Sequence, residues 1–219
     1  MRSRTLAWAA SALVIVACTT GVAVAEDFKT KQAGGIVIRA RGIGILPDES
    51  GTVLSRSTGA DTGLRIGKIT NEFQPELDFS YFITKNIAVE LIAASASHRV
   101  WTANGINVGD VRHLPPTLTL QFHPLPESRF SPYVGAGLNY TWFFNERSGP
   151  AAAVQDLKVK NTFGLALQAG LDIAITGGWH VNLDVKKLWL RPDVTTTSLK
   201  VNDLHIDPWI VGAGVGYRF

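Results

Sequence analysis

An alternation of apolar and non-apolar residues with period two, carried through eight segments, constrains this chain more than any other feature. Near the C-terminus Trp209, Val211, Ala213, Val215, Tyr217 and Phe219 fall on one side, and Ile210, Gly212, Gly214, Gly216 and Arg218 on the other. Successive side chains of a strand point to opposite faces, so this pattern is a strand with one apolar face. A second segment sets Phe163, Leu165, Leu167, Ala169, Leu171, Ile173 and Ile175 against Gly164, Ala166, Gln168, Gly170 and Asp172. A third sets Val134, Ala136, Leu138, Tyr140, Trp142 and Phe144 against Gly135, Gly137, Asn139 and Thr141. Five further segments are shorter or less regular. They place Ile36, Leu77, Val89, Leu118 and Val181 on apolar faces, and Arg39, Asp78, Glu90, Thr119 and Asp184 on the opposite ones.

The connections sort into two kinds. Thr84–Asn86, Pro124–Ser131 and Thr176–Gly178 are short; Leu46–Ile69, Trp101–His113, Asn145–Asn161 and Arg191–Asp207 are long. Eight strands joined by three short and four long connections put both ends of the sheet on the short-turn side. That is the layout of an outer-membrane barrel.

A soluble sandwich shares the periodicity, so other features must choose. Charged residues make up 18 % of the 219, below the roughly 25 % of soluble domains. After residue 25, no stretch approaches the roughly 20 apolar residues of a spanning helix. The second face is rich in Gly, Ala, Ser and Thr, which fit a narrow eight-stranded lumen. Tyr140, Trp142, Phe143 and Phe144 gather at one strand end, and Trp179 and Tyr217 at another, as interfacial girdles do. Lipid cannot satisfy an open sheet edge, so the first strand must pair with the last. The expected fold is all-β: an eight-stranded antiparallel up-and-down transmembrane β-barrel.

The N-terminus fits export. Arg2 and Arg4 precede the apolar stretch Leu6–Ala17, and Ala23-Val24-Ala25 offers a cleavage site. Residues 1–25 therefore read as a cleaved signal peptide, and 26–219 as a single barrel domain. Ile15-Val16-Ala17-Cys18 loosely resembles a lipobox, a competing reading, but the A-x-A site is better placed. Cleavage after Ala25 removes Cys18, the only cysteine, and with it any thiol or disulfide chemistry. The formal charge of +3 owes two units to Arg2 and Arg4, and no basic cluster points to nucleic acid.

The non-apolar face carries Arg39, Arg41, Glu76, Asp78, Glu90, Asp172, Asp184 and Lys186, together with Ile92 and His180. These residues, from Arg39 to Lys186 with Ile92 among them, are the candidate lumen lining. Charges walled from water persist only if paired or hydrated, so they form either a salt-bridged plug or a polar permeation path. Leu46, Leu54, Trp101 and Leu157, in the long connections, are the candidate apolar pocket, with Val53, Val100 and Val154 beside them. No catalytic site is expected: His98 follows Ser95 and Ser97, but no Ser-His-acid arrangement stands out. The histidines at 98, 113, 123, 180 and 205 lack metal-ligand spacing, so no metal is expected. Gly135-Ala136-Gly137 lies inside a strand and is no nucleotide loop, and no cofactor is expected.

Several stretches resemble the OmpW family of small outer-membrane proteins. Asn86–Ala94 resembles its third strand, Leu114-Pro115-Pro116-Thr117 the start of its fourth, and Pro132–Thr141 its fifth. Asp207-Pro208-Trp209 and Gly216-Tyr217-Arg218-Phe219 resemble its end. The resemblance implies an eight-stranded barrel in the Gram-negative outer membrane. It also implies a narrow apolar channel for small hydrophobic molecules, with a lateral way out into the bilayer. Lys186 departs from the bulky aromatic that family members can carry there. The implied partners are outer-membrane lipids, lipopolysaccharide, the barrel-assembly machinery and small hydrophobic molecules. The alternative is a non-transporting structural or adhesive envelope barrel.

Overall fold

The computed structural model describes residues 28–151 and 154–219; the leader and its cleavage site lie outside them. Fifteen strands follow in chain order among these residues. They are β1 (Ile36–Leu46), β2 (Ser50–Ser55), β3 (Asp61–Ile69), β4 (Glu72–Phe82), β5 (Ile87–Ala94), β6 (Ala96–Thr102) and β7 (Asn107–Leu114). Then come β8 (Thr117–Phe122), β9 (Phe130–Ser148), β10 (Lys158–Val159), β11 (Thr162–Thr176), β12 (Trp179–Leu190), β13 (Val194–Thr195), β14 (Leu199–His205) and β15 (Trp209–Arg218).

Eight of them close a barrel. The antiparallel neighbours run β1-β4-β5-β8-β9-β11-β12-β15, and β15 returns to β1 from Val37↔Arg218 to Leu46↔Trp209. The expected eight-stranded closed barrel is the observed one. Its outer face is the apolar one: Leu91, Leu118, Leu138, Leu165, Leu167, Val211 and Val215 are all exposed. Such a surface has lipid as its solvent. Trp179, Tyr217 and Phe219 form an edge-to-face aromatic series at the short-turn end, and Tyr140–Phe163 and Trp142–Phe144 pack at the other.

Local chemistry sets the short turns. The Thr84 hydroxyl accepts from the N–H of Asn86 and of Ile87, folding β4 back into β5. Gly177, at φ +53°, takes the left-handed position between β11 and β12.

The four long connections are not loops. They carry β2, β3, β6, β7, β10, β13 and β14, and β9 runs past the barrel rim to join them. Their pairing order, β10-β13-β14-β2-β3-β6-β7-β9, raises a second tier of wall above the first. This tier has its own apolar core, including Val53, Ile66, Val108, Val111, Leu157, Val201 and Leu204. Expecting loops was wrong because these strands are short and their ladders broken. Register shifts occur at Thr52/Leu54, Ile66/Lys68 and Val100/Trp101, and each interrupts the alternation that marks a strand in sequence.

Candidate functional site

Along the inner faces of four barrel strands, polar or small residues give way to apolar ones. Reading β1 from the short-turn end, the buried residues are Val37, Arg39 and Arg41, then Ile43 and Ile45. On β12 they are His180, Asn182, Asp184 and Lys186, then Leu188 and Leu190. On β5 Glu90 is followed by Ile92, and on β15 Gly212 by Ile210. The lower lumen is therefore charged and the upper lumen apolar.

The charged part is dry and paired. Arg39 meets Asp172 at 2.9 Å and Glu90 at 3.3 Å, and donates to Ser80. Arg41 binds Glu76 at 2.9 Å, Asp184 at 3.2 Å and Asp78, and donates to Asn182 and the Tyr133 hydroxyl. Lys186 bridges Glu76 at 2.7 Å and Asp184 at 3.0 Å. Arg39 and Glu90 are 0 % exposed, whereas a hydrated permeation path would leave such side chains wet. The arrangement is a salt-bridged plug. The glycines of the inner face make room for it: Tyr133 lies over Gly170, and His180 over Gly216.

The strand pattern did not reveal every member of the plug. Lys31 precedes β1, yet its ammonium reaches Asp172 at 2.8 Å, Ser131 at 2.7 Å and His123 at 2.7 Å. It is held there because Lys29 donates to Gly177 O and Lys31 to Pro126 O, tying the segment across the short-turn mouth. Arg218 donates to the Lys29 carbonyl. With Lys31 and Arg218 included, five buried cations (Lys31, Arg39, Arg41, Lys186 and Arg218) face five buried carboxylates (Glu76, Asp78, Glu90, Asp172 and Asp184).

Above the plug lies a cavity of about 80 Å³. Its described lining is apolar except for His98, His113 and Thr141, and draws on both tiers, from Ile45, Leu188 and Ile210 below to Val111, Leu157 and Val201 above. A smaller hollow of about 20 Å³ beneath it touches Ile43, Ile92, Ala94, Pro115, Glu76 and Lys186, so the apolar space ends on the Lys186–Glu76 pair.

Of the four residues expected to line an apolar pocket, Leu157 does. The other three do not. Leu46 is 41 % exposed, on the outer face opposite Trp209. Leu54 and Trp101 are half-buried on β2 and β6, outside the lining. In each case the residue one step before is the inward one: Ile45 and Val100 line the cavity, and Val53 joins the core of the upper tier. A shift of one residue reverses the face of a strand side chain. Phe143, grouped with the girdle in sequence, also points into the cavity.

The wall beside the cavity floor has a break in its hydrogen-bond ladder. The β5–β8 ladder stops at Ile92↔Thr117 and the β6–β7 ladder starts at Ala96↔His113. Between them residues 93–95 face residues 114–116, and Pro115 and Pro116 have no N–H to offer. The buried Asn139 amide donates to Pro115 O at 3.1 Å, and Tyr140 N–H to Pro116 O at 3.0 Å, so these carbonyls are satisfied away from the seam. The seam thus has no ladder hydrogen bonds.

The burial of His98 and His113 in this apolar setting lowers the pKa of both, that of His113 to about 3. They are neutral at physiological pH.

Comparison with known proteins places this geometry. The OmpW family model matches residues 32–219. The outer-membrane protein y4mB of Sinorhizobium fredii is 42 % identical over 188 residues, covering 83 % of this chain and 79 % of its own. Outer membrane protein W of Escherichia coli is 34 % identical over 220 residues, covering 95 % and 97 %. The crystal structure of the outer membrane protein OprG from Pseudomonas aeruginosa aligns with a TM-score of 0.79 at 29 % identity, over 88 % of this chain and 99 % of that one. With a closed eight-stranded barrel, a lipid-facing outer surface and a family match over nearly the whole chain, this protein belongs to the OmpW family of integral outer-membrane proteins of Gram-negative bacteria.

Proposed function

We propose that this protein takes up small hydrophobic molecules passively and releases them sideways into the outer membrane. The observation that carries the reading is the apolar cavity set directly on a charged plug. In barrels of this kind the short turns face the periplasm and the long connections the outside. A solute entering from outside meets apolar walls first. To continue downward it must displace buried ion pairs, whose separation leaves uncompensated charge. The seam between residues 93–95 and 114–116, at the level of the cavity floor, opens no ladder hydrogen bonds when it yields. Size supports transit one molecule at a time. About 80 Å³ is less than the roughly 150 Å³ void that holds benzene in a folded protein, so the walls must move apart to admit even one ring or alkyl chain.

The test is uptake by the full protein in vesicles whose outer leaflet is lipopolysaccharide. Flux of toluene or octane should exceed that of protein-free vesicles, and Val111→Trp, which fills the cavity with apolar bulk, should lower it severalfold. Wild-type flux equal to that of protein-free vesicles refutes the reading.

A further inference from the structure

The cavity is not uniformly apolar, and the exceptions are specific. His98 on β6 and His113 on β7 stack within it, ring centroids 5.1 Å apart and planes 13° from parallel. Phe143 packs against His113 at 5.7 Å. The third polar lining residue, Thr141, already donates its hydroxyl to Asn139 at 2.6 Å. That leaves His98 Nε2 and the two ring nitrogens of His113 without a hydrogen bond to a described group.

Their hydrogen-bonding states follow from their partners. His98 Nδ1 lies 2.9 Å from the Thr70 carbonyl, which can only accept, so Nδ1 carries the proton. In a neutral ring Nε2 is then an acceptor. Neither nitrogen of His113 bonds to another described group, although its ring is packed on both sides. His113 can therefore present an N–H. The two stacked rings bring an acceptor and a donor to one cavity, which is the complement of one hydroxyl group. A group of this kind, few in number and placed in an otherwise apolar pocket, sets orientation and selectivity.

We propose that His98 and His113 determine the specificity of this cavity, recognising the single hydroxyl of a small neutral hydrophobe such as a phenol or a medium-chain alcohol. This rests on the uptake reading for its transport consequence but not for the binding itself. Hydrocarbons pass without satisfying the imidazoles. Ions are disfavoured, because the surrounding wall is apolar and the rings are neutral.

The experiment has two arms on the full protein in lipid bilayers. In the first, imidazole ¹⁵N shifts of His98 and His113 are followed during titration with phenol and with toluene. Phenol should move both, and toluene neither. In the second, the uptake ratio of phenol to toluene is measured for wild type, His113→Phe and His113→Gln. The ratio should fall about five- to tenfold in His113→Phe, the scale of one lost hydrogen bond, and stay near wild type in His113→Gln, which keeps a donor and an acceptor. Shifts with phenol but no flux of either solute support the site and refute the uptake reading. Flux of both solutes, with no phenol-specific shift and the same ratio in all three proteins, overturns the proposal and leaves the uptake reading standing.

Discussion

Replacing Arg41 with methionine tests whether the lower lumen is a dry plug. Arg41 contacts Glu76 at 2.9 Å and Asp184 at 3.2 Å, with Asp78 closer still. At an effective dielectric near 20, one such pair at 3.2 Å is worth about 5 kcal/mol of attraction before desolvation. Desolvation offsets much of that in the intact protein, so the attraction is not itself a stability. The substitution, however, leaves five carboxylates facing four cations in a space closed to water. Lys186 still serves Glu76 and Asp184, whereas Asp78 loses the ion pair made by its Oδ1 while its Oδ2 has no hydrogen-bond partner. Breaking a buried pair from one side costs about 3–5 kcal/mol, and Arg41→Met belongs at the upper end because several acceptors are abandoned at once. The assay is urea unfolding of the bilayer-inserted protein, read by tryptophan fluorescence and by the gel mobility of the folded barrel. Removing Asp78 as well should recover part of the loss, since the double variant no longer buries that unpaired carboxylate. A loss below about 1 kcal/mol in Arg41→Met would mean that water reaches these charges, and the plug would have to be redrawn as a hydrated path.

The outer face and the upper tier give two further tests. Leu91 faces lipid between Phe79 and Leu118, so Leu91→Arg should lower the unfolding free energy in bilayers by about 2–4 kcal/mol, and an effect near zero would contradict a membrane-facing position. Acid should weaken the upper tier. His113 is held at about 3 and His98 below its ordinary value by burial, with Glu72 and the Thr70 carbonyl opposing on His98. The unfolded chain, titrating near 6.5, binds more protons between those values, so stability should fall as pH drops from about 6.5 toward 3. His113→Phe should flatten that fall in urea midpoints; a pH curve parallel to wild type would remove His113 from the account.

The barrel was legible in the sequence because lipid outside and a packed lumen inside enforce a strict period of two over long strands. Strands such as β11 and β15 carry it without a break, and their inward and outward residues follow directly. The same rule, carried along β1 from Ile36, puts Leu46 outward; reading it as a loop residue hid this. Leu54 and Trp101 are different. They lie at register shifts in ladders a few residues long, where no local pattern fixes the face. Lys31 was illegible for another reason: it belongs to no strand, and only the closed barrel brings it to Asp172. The stacking of His98 on His113 depends on the β6–β7 register, which the chain shows no sign of until the hairpin is built.

In the uptake we propose, the position of the polarity change favours an exit through the wall over one through the floor. Arg41 gives way to Ile43 on β1, Lys186 to Leu188 on β12 and Glu90 to Ile92 on β5, so the boundary recurs on separate sides of the lumen. On the proposed route an apolar solute reaching that boundary would gain nothing by moving down, where each step would desolvate or part an ion pair. Ala94 and Pro115 line the hollow beside this boundary and belong to a stretch between β5–β8 and β6–β7 that lacks a ladder. Opening the wall there breaks no ladder hydrogen bonds, whereas parting the ladders that close the barrel would strand backbone N–H and C=O groups in hydrocarbon, at several kcal/mol each. On the proposed route, the charged floor and the unladdered seam therefore act together. Lys186 is central to the arrangement, since with Glu76 it forms the charged floor on which the hollow lined by Ala94 and Pro115 ends.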